Sequence, residues 1–223
     1  MATLPDLPQT EIAIVEMTNA FRRENNLAAL APNATLAMAA RAFADYLRRS
    51  GKFTHEADGR HPWDRAEAQG YRSCLVAENL ALNLDSVGFE TLQLARDAVE
   101  GWKNSPGHRA NMLLPNATEI GVAVVRAPDT HPKFISVQLF GRPEALKVEF
   151  SIVNRTGTPI RYQLGEEKAT LPARGIVTHA RCDPDKLTFE TGRSDAETYE
   201  PRTGDNFIVH SEGGRTVIEV ERR

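Results

Sequence analysis

Gly101-Trp102-Lys103-Asn104-Ser105-Pro106-Gly107-His108-Arg109-Ala110-Asn111-Met112 carries most of what the chain says about its fold. Before it, Phe89, Leu92, Ala95, Val99 and Trp102 recur at helical spacing, which predicts a helix over residues 87–104. Ser105 is a favoured N-cap and Pro106 a favoured first helical residue, so a second, short helix restarts there and ends before Pro115. His108 falls in its first turn, where the positive helix end disfavours an imidazolium. Two further pieces, Phe53-Thr54-His55 and Ala77-Glu78-Asn79-Leu80-Ala81, sit in or beside loop-rich connections, where functional groups gather on a rigid scaffold.

Outward from this stretch, residues 1–8 read as a poorly ordered arm, and a helix is expected over 10–25. On it Asn19 and Arg22 share a face with Ile12 and Val15, so they read as buried polar groups tying the helix to a neighbouring loop. Asn33 caps a second helix with Leu36, Ala39, Ala40, Phe43 and Leu47 on one face, and Gly51 stops it. Residues 52–77 read as loop with one short helix near 63–69, followed by a strand over 80–84. Two strands follow over 120–126 and 133–140. After Gly141-Arg142-Pro143 only short β-type runs remain, at 147–153, 160–164, 176–181, 186–190, 206–210 and 215–221, which predicts a small sandwich or barrel over 145–223.

The 223 residues suit one large or two modest domains. Lys+Arg at 27 against Asp+Glu at 30 leaves a net charge of -3, without the basic excess of a nucleic-acid binder. No apolar run approaches the ~18 residues of a membrane-spanning helix. Cys74 and Cys182 have no second Cys or His at ligand spacing beside them. They form either one disulfide or two buried thiols, and the unpaired state is the simpler expectation. No export signal is visible at the start of the chain.

In order, these pieces resemble the superfamily of cysteine-rich secretory proteins, antigen five and plant pathogenesis-related proteins (CAP, or SCP-like), and its bacterial branch most. Val15 to Arg22 resembles the family's opening helix, Leu27-Ala28-Ala29-Leu30 its Leu-x-x-Leu, Glu78-Asn79-Leu80-Ala81 its Glu-Asn strand, and Trp102 to Met112 its Trp-x-x-Ser-x-x-His-Arg-x-Asn segment. The resemblance implies an α+β fold, a three-layer α-β-α sandwich over 9–141, with the β-type tail outside it. It also implies a cleft lined by two His and two Glu. His55, Glu78 and His108 match three of these, while Ser105 stands where the second Glu is expected. Ala77 replaces the more usual Gly, and the family's longer cysteine set is absent.

The expected ligand cleft is therefore His55, Glu78, Ser105 and His108, with Trp63 as an aromatic on its rim. His55, His108 and Glu78 also form a candidate set for a divalent metal, zinc above all. Ser105 beside His108 does not read as a hydrolase nucleophile, because no Gly-x-Ser-x-Gly elbow exists and an N-cap hydroxyl is engaged with backbone N–H groups. The functional expectation is a non-catalytic, secreted or periplasmic binding module, its export signal trimmed, that takes a small apolar or amphipathic molecule, a lipid, a peptide or a glycan. The β-domain could dock a protein partner. The alternatives are a metal-assisted hydrolase and a structural surface protein with a vestigial cleft.

Overall fold

The computed structural model describes residues 3–182, 185–190 and 197–222. The chain divides into two compact units, Met1–Ala145 and Leu146–Arg223. The first holds helices α1 (Leu7–Glu24), α2 (Ala34–Ser50), α3 (Pro62–Ala68), α4 (Thr91–Lys103) and α5 (Pro106–Met112), and strands β1 (Ala31–Pro32), β2 (Ser73–Leu84), β3 (Glu119–Ala127) and β4 (Lys133–Pro143). The strands form one sheet in the order β1-β3-β4-β2, parallel at β1–β3 and antiparallel elsewhere.

Strand alternation decides the layers, because successive side chains point to opposite faces. Ile120, Val122 and Val124 of β3 and Phe134 and Phe140 of β4 pack with Ile14 and Phe21 of α1 and Leu94, Val99 and Trp102 of α4. Their neighbours Ala123, Val125, Ile135, Val137 and Leu139 pack with Leu36, Phe43 and Leu47 of α2 and Ala66 of α3. The unit is thus the expected α-β-α sandwich. Asn33 caps α2 by accepting from Leu36 N at 3.0 Å, and Gly51 ends it in the left-handed conformation.

A four-stranded sheet has two open edges, and side chains close both. In an antiparallel ladder alternate residues turn their peptide groups away from the partner strand. On β2 these include Glu78 and Leu80: Asn111 Nδ2 donates to Glu78 O at 3.1 Å and Trp102 Nε1 to Leu80 O at 2.9 Å. On β3, Val124 N donates to Glu11 Oε1 at 2.8 Å, and Arg41, ion-paired with Glu11, donates to Val124 O. Asn19 and Arg22 tie α1 to its surroundings as anticipated. Asn19 exchanges two hydrogen bonds with the Leu30 backbone, and buried Arg22 donates to the carbonyls of Ala28, Met112 and Leu114.

Several expectations are corrected. β2 begins at Ser73, so residues 73–77 at the end of the stretch read as loop are strand; polar Glu78 and Asn79 in its middle and a bulge between Ser73 and Leu75 hide its alternation. The arm before α1 is pinned, with Thr3 bridged to Gly88, and Asp6 caps α1 by accepting from Gln9 N. Leu92 lies in the first turn of α4 and is exposed rather than core. Neither cysteine is a free thiol: Cys74 and Cys182 are both disulfide-bonded, a state that depends on oxidation and leaves no mark in residue spacing.

The second unit is all β. Strands β5 (Val148–Asn154), β6 (Ile160–Leu164), β7 (Glu167–Leu171), β8 (Ile176–Arg181), β9 (Leu187–Glu190), β10 (Glu197–Tyr199), β11 (Asn206–Glu212) and β12 (Arg215–Glu221) form two sheets, β12-β11-β5-β8 and β10-β9-β6-β7. Phe150, Ile152, Phe207 and Val209 of one sheet pack on Tyr162, Leu164, Leu187 and Phe189 of the other. This is a sandwich. The polar strands β7 and β10, both at sheet edges, escaped the sequence reading, as did the two-residue β1.

Helix α2 rides directly on β3 at Gly121. A Cβ there would lie 2.3 Å from Leu36 C and 2.4 Å from Ala37 N, both backbone atoms that cannot swing aside. Gly121→Ala is expected to destabilise the first unit by about 1–3 kcal/mol, read as a lower denaturant midpoint.

Candidate functional site

β2 is an edge strand, and the site is assembled around its middle. Glu78 projects from β2, and its side chain is 2% exposed. The segment after α2 brings His55 to it, with Nδ1 2.9 Å from Glu78 Oε1. An ionised carboxylate can only accept, so Nδ1 is the donor and Nε2 is the nitrogen left facing away from Glu78. The His55 side chain is 50% exposed, so the ring is anchored at one nitrogen and open to solvent.

His108 arrives from the other side, on α5. Asn79 Nδ2 donates to His108 O at 3.1 Å and to Gln138 Oε1 at 3.1 Å, while Asn111 Nδ2 donates to Asn79 Oδ1 at 3.0 Å. Gln138 Nε2 continues inward to Thr18 Oγ1. This buried amide chain fixes α5 against β2 and so places the His108 ring 6.4 Å from that of His55, centroid to centroid. Burial, and secondarily the neighbouring His55, hold the His108 imidazole below its ordinary 6.5. A neutral ring was expected from the helix end; desolvation turns out to be the larger cause.

The sequence reading missed Arg65 and Asp58. Arg65, on α3, is buried, with its guanidinium carbon 3.5 Å from the Phe43 ring centroid. Its Nη2 donates to Glu78 Oε2 at 2.7 Å. Its Nη1 donates to Asp58 Oδ1 at 2.9 Å and to the carbonyls of His55 and Arg60. One guanidinium therefore holds both the carboxylate and the backbone of its histidine partner. No motif marks it, since Arg and Glu 13 positions apart on different elements are ordinary in sequence.

Other expectations fare differently. Ser105 is the N-cap of α5 by backbone geometry, but its hydroxyl makes no capping bond; Pro106 presets the first turn in its place. Trp63 lines a cavity with Glu67, Arg72 and Val76 whose walls do not include His55, Glu78, Ser105 or His108. The structure brings His55 to both Glu78 and His108. Among the described residues no three His, Cys, Asp or Glu side chains are placed to hold a metal ion, and each Glu78 oxygen is already engaged, one by His55 and one by Arg65.

Two outcomes follow. Arg65→Met leaves Glu78 buried without its counter-charge and is expected to cost about 3–5 kcal/mol, whereas Arg65→Met/Glu78→Leu costs clearly less than the two single changes summed. For His108, the unfolded chain takes up its proton first as pH falls, so its contribution to stability is lost as pH drops below 6.5 through the lower folded value and is flat above 6.5. An NMR titration checks this. His55→Gln should move the His108 midpoint upward yet leave it under 6.5, because burial is the larger cause.

Comparison with known proteins places this geometry. Residues 15–140 match the cysteine-rich secretory protein family (CAP) model. The uncharacterized protein YkwD of Bacillus subtilis (strain 168) is 34% identical over 118 residues, 52% of this chain and 43% of YkwD. An extracellular SCP-domain protein from Bacillus anthracis is 28% identical with a TM-score of 0.51, over 61% of this chain and 41% of that one. An outer surface protein of Borrelia burgdorferi shares the fold at 24% identity and a TM-score of 0.52, over 64% of this chain and 99% of its own. The chain spans less than half of the two Bacillus proteins. With a family match that runs from the middle of α1 to Phe140 in β4, more than half of the chain, the chain belongs to the cysteine-rich secretory protein (CAP) family.

Proposed function

We propose that the chain is an extracytoplasmic, non-catalytic binding protein that takes a small lipid, peptide or glycan ligand in the cleft formed by His55, Glu78, Ser105 and His108. The observation that carries this is the double engagement of Glu78. With Oε1 on His55 and Oε2 on Arg65, the carboxylate is held inward, where it orients a ring and balances a guanidinium. As a general base in a metal-assisted hydrolase Glu78 would have to leave one of these partners. The arrangement suits a ring held for ligand contact, with His55 anchored through Nδ1 beside His108 as a preorganised pair.

Two observations support a location outside the cytoplasm. Both cysteines are disulfide-bonded, which persists in oxidising compartments. The Bacillus anthracis relative is described as extracellular. Among the described residues no helix is long and apolar enough to cross a membrane. The all-β unit is the candidate surface for a protein partner.

Calorimetry with phospholipid vesicles, a pentapeptide and peptidoglycan muropeptides tests the reading. Saturable heat is expected with one of these probes, weakened about tenfold or more by His55→Gln with the fold intact. No heat with any probe, or heat indifferent to His55→Gln, overturns the proposed cleft. Stoichiometric zinc in protein purified without chelator or affinity tag, together with zinc-dependent hydrolysis, overturns its non-catalytic character.

A further inference from the structure

The start of β2 borders a cavity of about 600 Å³ that the His55 cleft does not explain. It lies where β2 bulges between Ser73 and Leu75, and bulges open space at a sheet edge. Its aromatic wall is Trp63, 49% exposed, while the other tryptophan, Trp102, is buried in the core. Trp63 sits in the first turn of α3, where Asp64 accepts from His61 N at 2.9 Å. The His61 ring stacks on the indole at 4.4 Å between centroids and 21° between planes, and His61 Nδ1 lies 3.2 Å from Glu56. One face of the indole is thus braced, which leaves a flat apolar surface held still without its burial.

The β2 side of the cavity adds Leu75, Val76 and the disulfide-bonded Cys74, and the rest of the wall is polar. Arg72 and Glu144 form an exposed ion pair at 2.8 Å, and Glu67 adds a second carboxylate. The Tyr71 hydroxyl is already committed to Glu119. These groups select a ligand class by exclusion. An apolar chain would strip water from Glu67 and from the Arg72–Glu144 pair and offer no hydrogen bond in return. An anion would face two carboxylates. A cation would face Arg72, and a single aromatic plane is not the cage that such cations favour. A neutral polyhydroxylated ring suits all of them, with its C–H face on the indole and its hydroxyls donating to Glu67 and Glu144 and accepting from Arg72.

We infer that the cavity beside Trp63 is a saccharide subsite, a second binding site distinct from the His55 cleft. It does not depend on that cleft binding anything. Val76, on its wall, lies only two residues before Glu78 on β2, about 7 Å along the strand, so an oligosaccharide seated on Trp63 could also approach His55.

Tryptophan fluorescence of the full chain provides the test, because the exposed indole reports the cavity and the buried one does not. Chitotetraose and cellotetraose serve as neutral probes, with choline as the cationic control. The expected result is a saturable emission change with at least one tetrasaccharide. By calorimetry, Trp63→Tyr should retain this binding within a few-fold, while Trp63→Ala and Glu67→Gln weaken it about tenfold or more. Binding that survives His55→Gln but not Trp63→Ala separates this subsite from the His55 cleft. No saturable change with either sugar up to about 10 mM, a response to choline alone, or saccharide binding indifferent to Trp63→Ala overturns the inference.

Discussion

The closing of the β2 edge is the constraint on which the site rests. An edge strand presents unpaired carbonyls that must find donors or water. Here two side chains from one connected helical segment supply them: Trp102 from α4 to Leu80 O and Asn111 from α5 to Glu78 O. Because the two carbonyls are two residues apart on one strand, these bonds set both the distance and the roll of α4 and α5 against the sheet. His108 lies between Trp102 and Asn111 in sequence, so satisfying the edge also positions the ring. The buried amides of Asn79 and Gln138 behind it convert that docking into a unique register, since a shift of α5 would strand several polar groups in the core.

The other half of the site is held by charge rather than by edge closure. Arg65 and Glu78 are a buried ion pair, an arrangement that seldom adds net stability but is costly to break. Its value here is geometric. The guanidinium is a planar fork with donors on both sides, and it grips the Glu78 carboxylate with one nitrogen and the His55 carbonyl with the other. His55 is therefore located twice, through its side chain and through its backbone, although it lies outside regular secondary structure. A lysine could not do this from one position.

The sequence spoke clearly where periodicity and capping act locally. The cap at Asn33, the stop at Gly51 and the restart at Ser105-Pro106 appear where the residues place them. The role of Asn19 and Arg22 was also legible, because two polar groups on an apolar helix face must be buried with partners. The first half of β2 was not, since a strand buried by α3 on one side and crossed by a polar network on the other loses its alternation. In the site, the motif residues His55, Glu78 and His108 were legible, but the support they take from Arg65 was not. A buried Arg on a seven-residue helix looks like any surface Arg until the fold packs its guanidinium over Phe43.

That support bears on what the carboxylate can do. Two histidines and a glutamate in a cleft invite a metal, since each is a common ligand. Whether they can act as one depends on what lies behind the carboxylate. A ligating glutamate must offer an oxygen to the open side of the site, whereas Glu78 gives one oxygen to a guanidinium and the other to the nearer histidine. With Arg65 in place, the three residues form an imidazole pair with its acid turned inward. The element that fixes this acid is a short helix carrying no recognised motif. The chemistry of this cleft is therefore set from α3, the same helix that carries Trp63 and so borders the adjoining cavity.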